Sequence, residues 1–334
     1  MRRRFAWGAC VSRIGVLAWC VACLPGAGCQ RSPASGSHGH DTASKNASTF
    51  SGEYPINVVC TTGIVADLVQ RVGGDHVDVT GLMGPGVDPH LYKASPSDVR
   101  RFNGADIIFY NGLHLEGRLT DLLVQLARRK PTFAATEGLV ERGDARLREP
   151  PEFEGFYDPH VWHDVSLWET CLDDVARRLE SFDPGHAEQY RQRAEEARSE
   201  FRALHEDCLR RLGEIPAEQR VLVTAHDAFG YFGKAYSVEV HGLQGISTVD
   251  EPDVKAMESL VDLLVDQEIK AVFVESSVPP RGVEALIEAC GARGHSVKNG
   301  GQLYSDALGR PGTPAETYVG MMRHNVSTIV DALR

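Results

Sequence analysis

Positive charge is what this chain is short of. Its 334 residues carry 35 Lys and Arg against 46 Asp and Glu, a formal net charge of -11. Proteins that hold nucleic acid present a basic face that neutralises phosphates, so no nucleic-acid partner is expected. Long apolar runs are missing too. The charge-free stretch Ile14 to Leu24 falls short of the roughly 20 residues that a membrane-spanning helix needs. Beyond residue 29 only four cysteines remain, Cys60, Cys171, Cys208 and Cys290, and no two form a C-x-x-C pair. The spacing of a cysteine-built metal or redox motif is therefore absent there. In an oxidising compartment these four could pair, and the sequence does not say which with which. Cys60 ends an apolar run and reads as a small buried hydrophobe.

The composition, 42% hydrophobic and 24% charged, is that of a globular protein, and the length suggests two domains. The first residues stand apart. Arg2, Arg3 and Arg4 precede the apolar stretch, and Gly26-Ala27-Gly28 then leads to Cys29. This is the layout of a secretory signal over 1–28. A cysteine after small residues resembles a bacterial lipobox, which would place a lipid on Cys29 and tie the protein to a membrane. Gly26 stands where a lipobox usually has Leu. Cys23, after Val21-Ala22, is the alternative, and a signal cleaved without lipid is the other. Removing 1–28 takes away four arginines and no acid, which makes the remainder more acidic. Residues 29–51 are rich in Ser, Gly, Ala and Thr and read as a flexible tether. His38 and His40 on it read as solvated residues before ligands.

From Ile56 onward, short apolar runs alternate with helical stretches. Runs at Ile56 to Cys60, Val77 to Leu82 and Asp106 to Tyr110, with a capped helix opening at Pro96-Ser-Asp98, imply βα units and a parallel sheet. A second region repeats the pattern, with strands at Arg220 to Thr224, Val238 to Leu243 and Ala271 to Glu275. Helices are expected between and after them, the last running towards Leu333. Between the regions, Asp183 to Gly213 is dense in Ala, Glu, Gln and Arg and has no Gly or Pro from Ala187 to Leu212. That predicts one helix of roughly 40 Å. The expected organisation is a lobe over 52–182, a linking helix over 183–214 and a second lobe over 215–334.

Two Asp-Pro-His triplets occur, Asp88-Pro89-His90 and Asp158-Pro159-His160. Proline fixes its own backbone and restricts the residue before it, so each histidine stands on a stiff stalk. A lone histidine reads first as structural; two in the same rigid context balance the readings. His226 follows the apolar strand Val221 to Thr224 directly, at the carboxyl end where open α/β sheets bind ligands. Asp306, after Gly300-Gly301 in a Gly-rich turn, reads alone as a cap. Three imidazoles and one carboxylate would suit a first-row divalent ion, zinc by imidazole count, with the carboxylate extending the range to manganese. Two ligands from each region would put the ion in the cleft between lobes.

The motifs then become specific. Asp88-Pro-His-Leu-Tyr-Lys-Ala-Ser-Pro-Ser-Asp98, Tyr110-Asn-Gly-Leu-His-Leu-Glu-Gly117 and Asp158-Pro-His-Val-Trp162 fall in the first region. Thr224-Ala-His-Asp-Ala-Phe-Gly-Tyr-Phe232, Gly242-Leu-Gln-Gly-Ile-Ser-Thr248, Val274-Glu-Ser-Ser277, Leu303-Tyr-Ser-Asp306 and Tyr318-Val-Gly-Met-Met322 fall in the second. Over about 55–334 the chain resembles the metal-binding lipoproteins of bacterial zinc and manganese ABC importers, the TroA/ZnuA type of solute-binding protein. The resemblance implies an α/β fold of two Rossmann-like lobes with parallel sheets joined by one long rigid backbone helix. It implies that His90, His160, His226 and Asp306 are the four ligands, that Zn2+ or Mn2+ is bound as transported cargo, and that an ABC-importer membrane permease receives it. It further implies an extracytoplasmic site of action and a protein that acts as a monomer. Glu275 resembles a position that supports the site by hydrogen bonds. Trp162 and Tyr231 are expected as cleft walls and His114 as a structural residue near the cleft floor; His163 is expected to be exposed, with a place supporting the ligands as the alternative. Zinc-specific members often carry a His- and acid-rich loop after the first ligand, and the chain from His90 to Asp98 has none. Manganese-specific members often have Glu where His226 stands.

In this reading the metal-free protein leaves one or two ligands mobile and the ion closes the shell. Affinity should fall below about pH 6, near the histidine pKa. Two rivals remain. A metal-stabilised surface adhesin or structural lipoprotein would use the ion for its fold. A metallohydrolase would keep an open coordination position and a general base, and the sequence offers no convincing base beside the four ligands.

Overall fold

The computed structural model describes residues 49–153, 155–249 and 254–334. The expected signal over 1–28, Cys23, Cys29, His38 and His40 lie outside the described residues. Phe50, at the end of the expected tether, already packs on Phe182, and its backbone N–H donates to the Phe182 carbonyl.

The first sheet grows from β1 (Ile56–Thr62), whose residues are buried except Asn57. Such a run has no solvent face, so it must be flanked by strands and covered by helices on both sides. The chain leaves it through α1 (Gly63–Gly73), capped by the Thr62 hydroxyl, and returns as β2 (Val77–Met83). It then passes α2 (Pro96–Gly104), β3 (Ile107–Tyr110), α3 (Thr120–Ala127), β4 (Thr132–Ala134) and the short α4 (Glu137–Glu141). All pairings are parallel and the strand order is β2-β1-β3-β4. α2 begins as the sequence indicated, with Ser95 and Asp98 forming a reciprocal capping box.

Helix α5 (Val165–Phe182) was not foreseen. Asp164 caps it by accepting from the Ser166 and Leu167 amides, and Leu167, Trp168, Cys171, Leu172, Val175 and Leu179 form its buried stripe. A 3-10 turn over Pro184–His186 leads into α6 (Ala187–Leu212), the expected 26-residue helix. Its apolar stripe, Tyr190, Ala194, Ala197, Phe201, Leu204, Cys208 and Leu212, follows the spacing of three and four that keeps one face inward. That face meets α1 and α5 of the first lobe and, in the second, α10 (Tyr318–Leu333).

The second lobe has β5 (Val221–His226), α7 (Gly230–Tyr236), β6 (Glu239–Gln244), α8 (Val254–Asp266), β7 (Ala271–Glu275), α9 (Arg281–Ala292) and β8 (Lys298–Leu303). β5 pairs with β6 and β7 with β8, both parallel, and β5 lies beside β7. The architecture is therefore two Rossmann-like lobes with parallel sheets joined by a long helix. Gly300 and Gly301, expected in a turn, instead lie inside β8. There the strand holds one residue more than β7, a bulge. Gly301 has φ +126°, and a Cβ on Gly300 would sit 2.7 Å from the Phe273 ring, so both places exclude larger residues.

Cys60, Cys171, Cys208 and Cys290 are buried and unpaired. Cys60 is the small core residue that its sequence context indicated. No helix among the described residues is long and apolar enough to cross a membrane.

Candidate metal centre

The four candidate ligands sit in loops or at the ends of regular elements. His90 lies in the loop between β2 and α2, His226 is the last residue of β5, and Asp306 follows β8. His160 precedes the 3-10 turn that opens α5. The Asp-Pro-His triplets work alike. The Asp88 carboxylate accepts the His90 backbone N–H at 2.8 Å, and Asp158 accepts that of His160 at 3.0 Å. Each aspartate thus ties back the turn that its proline stiffens.

The structure brings all four together. Their ligand atoms lie within 4.8 Å of one another, and none of the four is more than 3% exposed. His90 Nε2 and His160 Nε2 are 3.3 Å apart; His160 Nε2 is 3.4 Å from Asp306 Oδ1, and His226 Nε2 is 3.5 Å from Asp306 Oδ2. Ligands at 2.0–2.1 Å on the corners of a tetrahedron are about 3.4 Å apart. His226 Nε2 and Asp306 Oδ1 are buried with no hydrogen-bond partner, a costly condition that a shared cation would relieve.

Charge is distributed unevenly in the cluster. Burial and its imidazole neighbours push His90 down to about 3, against the pull of Asp306, so it is neutral. Burial also opposes charge on His226, but Glu275 and Asp306 outweigh it and hold His226 well above the ordinary imidazole range. His160 is raised too, where the Asp158 and Asp306 carboxylates overcome burial. Burial would raise Asp306, yet His226 and His160 hold it well below the usual carboxylate range.

The supports behind the ligands fix which ring nitrogen faces the centre. Glu275 binds the His226 backbone N–H at 2.8 Å and its Nδ1 at 2.6 Å, leaving Nε2 inward. Asp158 holds His160 Nδ1 at 2.9 Å, and its other oxygen receives Arg148 at 2.6 Å. Asn111 donates to the Pro159 carbonyl at 3.1 Å, and buried Glu116 pins that loop by accepting the Asn111 and Gly112 amides and the Thr61 hydroxyl. Bonds also cross between lobes. The Tyr231 hydroxyl donates to the Asp158 carbonyl, the Trp162 indole to the Ser305 carbonyl, and the Thr248 hydroxyl to Asp88 Oδ2 at 2.5 Å. Thr248→Val is expected to weaken metal binding roughly tenfold, since Asp88 then holds the His90 turn without its cross-lobe donor. Competition titration against a chelator measures this, and an unchanged affinity would reduce the contact to packing.

Glu275 therefore stands as the sequence indicated. Trp162 and Tyr231 are buried behind the ligands and tie the lobes together. Two expectations need correction. His163 is fully buried, its ring 4.3 Å from that of Phe229, because the 3-10 turn after His160 directs it inward. His114 is exposed. The left-handed backbone of Leu113 and His114 turns it out of the fold and against Phe156. Arg148, Thr248 and Asn111 escaped the sequence reading. Each acts from another segment of the chain, and only the motifs around Asn111 and Thr248 gave any signal.

A family model described as zinc-uptake complex component A, periplasmic, matches residues 58–332. The chain is 43% identical over 297 residues to the manganese-binding lipoprotein MntA of Bacillus subtilis, spanning 89% of this chain and 94% of that one. It is 44% identical over 276 residues to the zinc-binding protein TroA of Treponema pallidum, spanning 83% and 88%. The solved structure of the periplasmic zinc-binding protein TroA from Treponema pallidum superposes with a TM-score of 0.80 at 43% identity, covering 83% of this chain and 99% of that one.

Proposed function

Since the chain belongs to the family of periplasmic zinc-uptake components that includes TroA, we infer that it captures Zn2+ between His90, His160, His226 and Asp306 and passes it to a membrane permease. Membership makes it a metal-binding substrate-binding protein of an ABC transporter, a carrier whose ion is cargo. The observation that carries the ligand assignment is that four buried donors lie within 4.8 Å of one another, three pairs of them at 3.3 Å to 3.5 Å, and that two have no other partner for the inward atom. Zinc is favoured by three imidazoles and by its place above manganese in intrinsic affinity. Manganese is the second reading. It is supported by the relative named for that metal and by Asp306, whose two oxygens both face the histidines.

The protein works outside the cytoplasm, with Cys29 as the proposed lipid anchor, in line with the lipoprotein relatives. Residues 52–182 and 215–334 are the proposed lobes and 183–214 the connecting segment. Metal analysis of protein taken from its own cell envelope, paired with competition of Zn2+ against Mn2+, tests the cargo. A preparation carrying manganese and preferring it would overturn zinc. His160→Ala tests the ligands. Four-ligand zinc sites bind with about 10–16 kcal/mol, so one ligand accounts for about 3 kcal/mol, or roughly a hundredfold in affinity. That loss is expected with the circular dichroism of the fold unchanged, and wild-type affinity would remove His160 from the site.

A further inference from the structure

His163 is a buried group that metal capture, as described so far, does not use. It lies three residues after His160, in the turn between that ligand and the α5 cap Asp164. Its ring is sealed against Phe229 and beside Trp162, and neither ring nitrogen has a hydrogen-bond partner. It does not belong to the group of four that could hold the ion, so an ion there leaves it unsatisfied. Burial keeps it neutral, with its pKa pushed down to about 3. A phenylalanine would fill the same space against Phe229 without burying two polar atoms. The histidine is therefore a cost to the metal-free fold.

What the ring faces gives that cost a use. The Ser305 backbone lies against it without reaching hydrogen-bond geometry. Ser305 precedes Asp306 in the chain. Its carbonyl already accepts the Trp162 indole N–H at 2.9 Å, and its hydroxyl pairs with Ser277, which in turn donates to Asp306 Oδ2 at 3.0 Å. A carbonyl has two lone pairs, so Ser305 has room for a second donor. A small inward movement of Asp306 onto an ion would carry Ser305 with it.

We propose that His163 is a positioning residue for metal capture: its imidazole N–H donates to the Ser305 carbonyl when Asp306 engages the ion, and holds Asp306 in the loaded position. The inference rests on the assignment of Asp306 as a ligand. It places part of the grip on the ion in a bond made only in the loaded state, so its loss should appear as faster dissociation.

The test compares His163→Phe and His163→Gln in the full chain, with Zn2+ alone as the probe. His163→Phe is expected to weaken Zn2+ binding roughly tenfold, while the melting midpoint of the metal-free protein stays level or rises. His163→Gln, which keeps an N–H donor, is expected to recover most of the loss. A purely structural histidine would give the reverse for His163→Phe, a lower midpoint with unchanged affinity, and that overturns the proposal. So does a His163→Gln protein that binds as weakly as His163→Phe. Should either variant not fold, nitrogen-15 spectra of the wild-type ring decide. A His163 N–H signal that moves to a bonded position on Zn2+ addition supports the bond, and one that stays in place overturns it. Wild type titrated alongside separates the two readings: no uptake there removes the site itself, whereas normal uptake with an indifferent His163→Phe removes this inference alone.

Discussion

Acidification through the titration range of His160 and His226 is expected to weaken metal binding by up to about a hundredfold for each pH unit. His160 and His226 are both held above the ordinary imidazole pKa, while His90 is pushed down to about 3 and Asp306 stays ionised. The metal-free cluster therefore holds protons on the two histidines whose Nε2 atoms are the proposed ligands. A group that must lose a proton to bind metal lowers affinity about tenfold for each pH unit below its pKa, and two such groups lower it about a hundredfold. The onset lies above the value near pH 6 that unperturbed histidines would set. The cause is the pair of carboxylates, Glu275 and Asp158, behind the rings. Calorimetric titration in buffers of different ionisation enthalpy counts the protons. Release rising towards two protons per ion as pH falls is expected, and a count of zero throughout would sink the charge assignment.

Asp306→Ala should be more damaging than loss of any one histidine, because it removes a ligand and the shared counter-charge together. The raised histidines contribute stability that is fully present below the unfolded imidazole pKa of about 6.5 and is lost as pH rises through their folded values. Depressed Asp306 contributes stability that is present above its unfolded value of about 3.9 and is lost as pH falls through its folded value. Both contributions overlap between about pH 4 and pH 6.5. Breaking a buried pair on one side costs about 3–5 kcal/mol. The metal-free variant should therefore melt roughly 10 °C lower near pH 5, with the gap narrowing as the histidines lose their protons at higher pH. Zn2+ affinity should fall by more than a hundredfold, past the loss expected for His160→Ala. Melting curves at several pH values check the first part. A gap that widens with rising pH would contradict the pairing.

Much of this centre was legible in the sequence, for identifiable reasons. His90 and His160 sit in rigid Asp-Pro-His turns, and His226 closes an apolar strand, so local pattern carried their placement. Asp306 was legible only through the family resemblance, because a bulge in β8 looks like a glycine turn when read alone. Helix α5 was missed although its stripe is regular. Its Asp164 cap follows the Asp158 to Trp162 motif by two residues, so the loop pattern masks the helix start. His163 was misplaced because a polar residue beside a turn ordinarily faces water, and only the three-dimensional course of that turn sends it inward. Arg148 and Thr248 act across 10 and 160 residues of chain, a separation that no local pattern encodes.

The extra residue in β8 bears on the tolerance of the whole centre. Beyond it, Glu275 is paired with Leu303 and the Ser276 amide bonds the Leu303 carbonyl. The chain that supports His226 and the chain that carries Asp306 thus leave their strands in phase. One residue of strand advances about 3.3 Å, the same length as the 3.3 Å to 3.5 Å gaps between ligand atoms. A slip of a single residue there would move the carboxylate by the full width of the cage. The two glycines set the count of residues between the sheet and the proposed metal site, and a cage this small allows no error in it.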